Sequence, residues 1–174
     1  MMLAERLGAP VTLNLDFKGD IKRESRWFAQ YGQAACTVVV ALIIFRLDLR
    51  QGIDGRQPAL LLLSAVFGAS VISTLVKRLL GRVRPGREQA GQFLGPTWRH
   101  ANYRESFPSS HSACAIAMSV ILARLYPGAA AIFWTLGVVT AVLRYLMDAH
   151  WPSDVLGGVA LGYAVAMLTW ELAV

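Results

Sequence analysis

Three short clusters hold most of the residues in this 174-residue chain that could do chemistry. The first is Lys77-Arg78-Leu79-Leu80-Gly81-Arg82-Val83-Arg84-Pro85, the second Pro108-Ser109-Ser110-His111, and the third runs from Arg144 through His150 to Asp154. Lys77 and Arg84 stand seven apart, two helical turns, so on one continuing helix both project towards a single anion. The planar fork of arginine matches phosphate oxygens, and lysine adds a point charge. Ser109 and Ser110 precede an apolar run, where serine caps a helix and the free amides also form an anion site. His111, placed there, can give a proton to a leaving oxygen. His150 and Asp154 bracket Pro152, so the carboxylate can fold back onto one imidazole nitrogen and leave the other as a nucleophile.

Each cluster also has an ordinary reading. A basic stretch commonly flanks a membrane segment, a serine commonly starts a helix, and Ser153 or Asp154 can simply cap the last one. The elements that would carry the clusters bear on the choice. The chain is 55% hydrophobic and only 16% charged, with a mean hydropathy of +0.46, whereas a soluble domain carries about a quarter charged residues. Five apolar segments can be drawn: Trp27–Phe45 with its dense core at Ala34–Phe45, the uncharged Ala59–Val76, a third from His111 to Ala123, Gly128–Leu143 and Val155–Trp170. They predict an all-α fold, an integral-membrane helical bundle of about five transmembrane helices in a single domain over residues 1–174. Residues 1–31 form an amphipathic N-terminal segment, with Asp16–Tyr31 read as an interfacial helix, and residues 59–170 form the motif-bearing core.

Counting spans brings the three clusters to one membrane face, because segment two ends where segment three begins, and segments four and five meet there again. The connection from Lys77 to Ser110 contains Gly81, Pro85, Gly86, Gly91, Gly95 and Pro96 and reads as an irregular cap over that face. Gly158/Gly162 and Ala113/Ala117 have the spacing of close helix packing.

The net charge is +6 and the isoelectric point about 9.8. The basic residues sit beside membrane-length segments, so anionic lipid headgroups or a phosphorylated substrate explain them better than nucleic acid. Cys36 and Cys114 lie in apolar runs and read as packing residues, and no cluster has metal-ligand spacing. Met1–Phe17 show no signal-peptide pattern, so insertion is expected to rest on the later segments. His100, with Arg99 and Arg104, reads as a solvated or headgroup-contacting residue, Asp148 as a loop residue, and Glu105 as a neighbour of some basic group.

Taken together, the clusters resemble the signature of the type 2 phosphatidic acid phosphatase (PAP2) superfamily, K-x6-RP, PSGH and SR-x5-H-x3-D. It reads here as Lys77…Arg84-Pro85, Pro108-Ser109-Ser110-His111 and Leu143-Arg144…His150…Asp154, with nine residues matched in order and spacing. The resemblance implies a small, bacterial-type, metal-independent phosphatase without a cofactor, acting on a membrane lipid phosphate. His150 would attack phosphorus and form a phosphohistidine, Asp154 would orient His150, and His111 would protonate the leaving group. Lys77, Arg84, Arg144, Ser109, Ser110 and nearby amides would hold the phosphoryl oxygens. The implied substrates are undecaprenyl diphosphate, phosphatidate, phosphatidylglycerophosphate or the lipid A class. A phosphotransferase with the same intermediate and a non-enzymatic anion-binding membrane protein or transporter are the alternatives.

Two positions depart from the signature: Ser110 stands where the family has glycine, and Leu143 where it has serine. The family usually has six spans rather than five. It commonly places the site on the outer face of the bacterial inner membrane, whereas Arg6, Lys18, Lys22, Arg23 and Arg26 would by charge alone make that face cytoplasmic.

Overall fold

A computed structural model of the protein describes residues 19–50, 54–97, 101–147 and 149–173. Residues 1–18, Arg99, His100 and Asp148 lie outside the described residues, and with them most of the expected N-terminal segment. The described chain forms six α-helices: α1 Gly19–Phe28, α2 Ala34–Arg50, α3 Arg56–Leu80, α4 Ser110–Leu125, α5 Ala130–Leu146 and α6 Pro152–Ala173. Short 3-10 turns at Asn102–Arg104 and Pro127–Ala129 complete it. Three stretches are long and apolar enough to cross a bilayer: Arg56–Leu80, Pro127–Leu146 and Pro152–Ala173. Ala34–Leu47 and Ser110–Leu125 are apolar but shorter.

The first apolar segment is not one helix from Trp27. α1 ends at Phe28 and α2 begins at Ala34, because Gly32 adopts φ +79 and packs so closely on α4 that a Cβ would lie 2.6 Å from the Ala115 backbone. α1 buries Ser25 and leaves Trp27 and Phe28 exposed, as residues at a membrane interface are, and Ala29 just after it is buried. The carbonyl of Phe28 accepts a hydrogen bond from Thr140 of α5, which seats α1 on the half of the bundle that ends at Leu146.

α4 is the centre of the bundle. Every residue from Ser112 to Leu122 is buried, and α3, α5 and α6 all pack on it. Its small side chains allow this. Gly158 and Gly162 of α6 lie directly on the carbonyls of Ser109 and Ala113, with no room for a Cβ, so the glycine pair read in the sequence packs on the first turns of α4. The large apolar side chains Leu60, Phe67, Ile132, Val138 and Leu168 face outward, where lipid would cover them.

α3 stops at Gly81, which takes the left-handed conformation (φ 60, ψ 41) and donates its amide to the Lys77 carbonyl. That stop corrects the single-helix reading of Lys77 and Arg84. Lys77 occupies the last turn of α3, whereas Arg84 lies in the non-helical segment beyond the cap. The segment folds back over the bundle end: Val83 donates to Gln92, Arg84 to Tyr103 and Ser106 to Arg82, all through backbone amides. The only bridge pairing among the described residues is Arg82 with Phe93.

Candidate active site

The end of α3, the start of α4, the end of α5 and the start of α6 meet beneath the 81–109 segment. Lys77, Arg84, His111, Arg144 and His150 interact electrostatically with one another there. Residues spread over 74 positions, from Lys77 to His150, therefore share one small volume.

His150 is 2% exposed, and its Nδ1 lies 2.9 Å from the backbone carbonyl of Ser106. A carbonyl can only accept, so Nδ1 carries the proton and Nε2 keeps its lone pair. Burial pushes the imidazole down to about 4, against the upward pull of Asp154; Lys77, Arg84 and Arg144 push in the same direction as burial. The ring is neutral at pH 7, as a nucleophile must be.

Asp154 does fold back towards His150, but it stops at 3.7 Å from Nδ1, beyond hydrogen-bond reach. The reason is its other partners. Oδ1 receives Arg82 Nη1 at 2.6 Å, and Oδ2 accepts the Trp151 amide at 3.0 Å and a very short hydrogen bond from the Ser106 hydroxyl. Ser106 thus holds the carboxylate with its hydroxyl and the imidazole with its carbonyl.

The basic residues differ in how they are held. Arg84 donates to the carbonyls of Asn102 (2.8 Å), Ala149 (3.3 Å) and Glu105 (3.4 Å), tying the 81–109 segment to the residue before His150. Arg144 keeps a buried Nε that has no hydrogen-bond partner among the described residues. Lys77 is buried in the last turn of α3. Arg84 and Arg144 are half-buried, and the three cations set against the carboxylates of Glu105 and Asp154 leave positive charge that can hold an anion.

The serines divide. Ser109 caps α4: its hydroxyl accepts from the Ser112 amide and its own amide donates to the Asp154 carbonyl. Ser109 is fully buried and joins α4 to α6 through these bonds, in which its hydroxyl oxygen only accepts. Ser110, in the glycine position of the motif, shares a 2.9 Å hydroxyl–hydroxyl hydrogen bond with Ser73 of α3, whose hydroxyl also lies 2.9 Å from the Ser70 carbonyl. His111 follows in the first turn of α4, whose amides have no intrahelical acceptor. Leu143 is half-buried on α5, one residue before Arg144.

With a buried neutral imidazole, a second histidine and three cations on one site, the comparison with known proteins is direct. The model of the PAP2 superfamily matches residues 58–174. The chain belongs to the PAP2 superfamily. Among curated relatives, a lipid A 1-phosphatase of Rhizobium etli is 35% identical over 110 residues, 62% of this chain and 47% of the relative. A lipid A 1-phosphatase of Rhizobium johnstonii is 34% identical over 113 residues, 64% of this chain and 46% of the relative. This chain therefore spans about half the length of those two relatives. An undecaprenyl-diphosphatase of Sulfolobus acidocaldarius is 28% identical over 156 residues, 84% of this chain and 68% of the relative. The crystal structure of a transmembrane PAP2-type phosphatidylglycerolphosphate phosphatase from Bacillus subtilis shares the fold at a TM-score of 0.63 and 19% identity, covering 98% of this chain and 84% of that one. This is a membrane protein with a PAP2 fold.

Four residues around His150 and Asp154 receive no site role from the sequence: Arg82, Ser106, Trp151 and Ser153. Arg82 had a readable signal. Once Gly81 ends α3, alternation along an extended segment puts Arg82 and Arg84 on the same side, opposite Val83. Trp151 donates its indole N–H to the Val83 carbonyl at 3.1 Å, a pairing across 68 positions that no local pattern reveals.

Proposed function

We propose that this PAP2 protein is a lipid phosphatase that removes phosphate through a phosphohistidine on His150. The carbonyl of Ser106 on Nδ1 is the observation that carries the reading, since it leaves Nε2 unprotonated on a buried, neutral ring. Nε2 attacks phosphorus, the N–P bond forms, and the bond from phosphorus to the lipid oxygen breaks. That oxygen leaves with a proton from His111. Water then attacks the phosphohistidine, giving a proton back to His111, and inorganic phosphate leaves as Nε2 regains its lone pair.

Lys77, Arg84 and Arg144, with the Ser110 hydroxyl and the first-turn amides of α4, neutralise the equatorial phosphoryl oxygens as negative charge shifts among them. The residues in named steps need no metal. The curated relatives act on lipid A or on undecaprenyl diphosphate by name, and the apolar outer surface keeps this site at a bilayer, so the substrate class is a phosphate or diphosphate on a membrane-embedded lipid. In this reading α2 to α6 cross an inner membrane with α1 at its interface, and the site faces outward, in keeping with the family's common arrangement.

Purified protein in EDTA, offered lipid A 1-phosphate, undecaprenyl diphosphate, phosphatidate and phosphatidylglycerophosphate, should release inorganic phosphate from at least one of them. Wild-type protein inactive on all four, or a His150→Gln variant as fast as wild type, overturns the reading. Transfer to a lipid acceptor with little free phosphate would make the protein a phosphotransferase instead.

A further inference from the structure

Arg82 is as buried as His150, at 2% exposed. Its Nη1 lies 2.6 Å from Asp154 Oδ1 and 2.6 Å from Ser153 Oγ, and its Nε donates to the Gly91 carbonyl at 3.4 Å. The guanidinium carbon stacks 5.2 Å from the Phe93 ring centre and 5.5 Å from that of Trp151. Its own carbonyl accepts the Ser106 amide, and Ser106 is the residue that holds both Asp154 and His150. Arg82 therefore touches the imidazole's two supports, Asp154 through its side chain and Ser106 through its backbone.

We propose that Arg82 is a positioning residue that keeps His150 nucleophilic by neutralising Asp154 and fixing where its carboxylate points. The physical argument is one of charge. Asp154 is fully buried, and an unpaired carboxylate 3.7 Å from Nδ1 would stabilise the imidazolium, in which Nε2 is protonated and cannot attack. With Arg82 in place the pair is close to neutral, and Asp154 Oδ2 is left to bond Ser106 and the Trp151 amide. The other charged groups facing His150 are Lys77 of α3, His111 of α4, Arg144 of α5, and Arg84 and Glu105 of the overlying segment. The cations among them already disfavour the imidazolium, so Asp154 is the group whose charge has to be controlled.

The inference deepens the phosphohistidine reading and rests on it, so its first test is independent of turnover. The titration of His150, followed by nitrogen NMR of histidine-labelled protein in nanodiscs, should move up by about one pH unit or more in Arg82→Gln. Arg82→Lys, which keeps the charge, should restore most of the wild-type midpoint. An unmoved midpoint in Arg82→Gln overturns the proposal whether or not the protein releases phosphate.

Turnover gives the second test. Arg82→Gln should lower kcat by about 100-fold with KM within about threefold. A midpoint raised by about one unit from about 4 still leaves the ring neutral at pH 7, so the loss comes from Asp154 and Ser106 no longer holding the ring in line. A raised KM with unchanged kcat would put Arg82 on the substrate and overturn the proposal. Should Arg82→Gln fail to fold, the double variant with Asp154→Asn removes both buried charges. Its kcat should equal that of Asp154→Asn alone, and a further loss of about tenfold or more overturns the proposal.

Discussion

The backbone carbonyl of Ser106 lies 2.9 Å from Nδ1 of His150, while the nearest oxygen of Asp154 is 3.7 Å away. The group that sets the tautomer is thus a main-chain oxygen, which no side-chain substitution removes. Asp154 acts on the same ring through its field and through Ser106. This separation makes unequal demands on the two positions. Asp154→Asn should lower kcat by about 100-fold, against about 10,000-fold for His150→Gln, because only the latter removes the attacking atom. Steady-state phosphate release on the active lipid checks the ratio, and equal losses at both positions would put the carboxylate in direct contact with the reacting ring.

His111 should matter in proportion to how poor the leaving group is. For a lipid alkoxide, His111→Gln should slow release by about 100- to 1,000-fold, the usual span for general acid catalysis. For an aryl phosphate, whose oxygen leaves without a proton, the loss should shrink to about tenfold or less. A denatured, alkaline-quenched sample of the variant with the aryl substrate should carry phosphate on His150. Identical losses on both substrates would remove His111 from the proton path.

Stability should follow His150 with a definite sign. The folded protein holds the imidazole down at about 4, whereas an unfolded chain titrates near the ordinary value of about 6.5. Between those values the unfolded state binds the extra proton, so the contribution is complete above about 6.5 and is lost as pH falls towards 4. The melting temperature in detergent should therefore drop across that window, and by less in His150→Gln. A flat profile in the wild type between pH 6.5 and 4 would contradict the buried neutral ring.

The α4–α6 interface predicts a packing defect. Gly162→Ala places a methyl group on the Ala113 carbonyl, and Gly158→Ala places one on the Ser109 carbonyl. Each should destabilise the fold by about 1–3 kcal/mol, the range for overpacked sites. Gly158→Ala should also slow catalysis, because the Ser109 amide joins α4 to the Asp154 carbonyl. Thermal melts with parallel activity assays separate the two effects.

Arg144 should behave as a phosphate contact. Its buried Nε has no hydrogen-bond partner among the described residues, so Arg144→Ala should cost about 100-fold in kcat/KM, and Arg144→Lys should recover little of it, since the ammonium lacks the planar fork. Full recovery by lysine would show that charge alone is used there.

The helices were legible from the sequence because membrane-length apolar runs are a strong, local signal, and all five runs are helical. The first was drawn too long: nothing local to Trp27–Phe45 says that Gly32 must turn where it meets Ala115, 83 positions away. The motif residues could be named and sent to one face by counting spans. Their individual bonds could not, because these depend on the 81–109 segment, whose course is set by contacts such as Trp151 with Val83 and Arg84 with Ala149. The seven-residue spacing of Lys77 and Arg84 looked helical, yet a left-handed glycine between them turns it into a helix end followed by an extended arm. Ser109 reads equally well as a cap and as an anion contact; its oxygen does cap α4, and a cap that only accepts leaves the hydroxyl proton for the other role.

α4 has 16 residues, about 24 Å of helix, where a hydrocarbon layer measures about 30 Å. From Ser112 to Leu122 it is enclosed by other helices and meets no lipid. Hydrophobic mismatch therefore acts on the outer helices, which can tilt to suit thinner or thicker acyl layers, and reaches α4 only through them. The distance between His111 and His150 is then set by protein on protein, and one catalytic geometry can serve in membranes whose acyl-chain lengths differ.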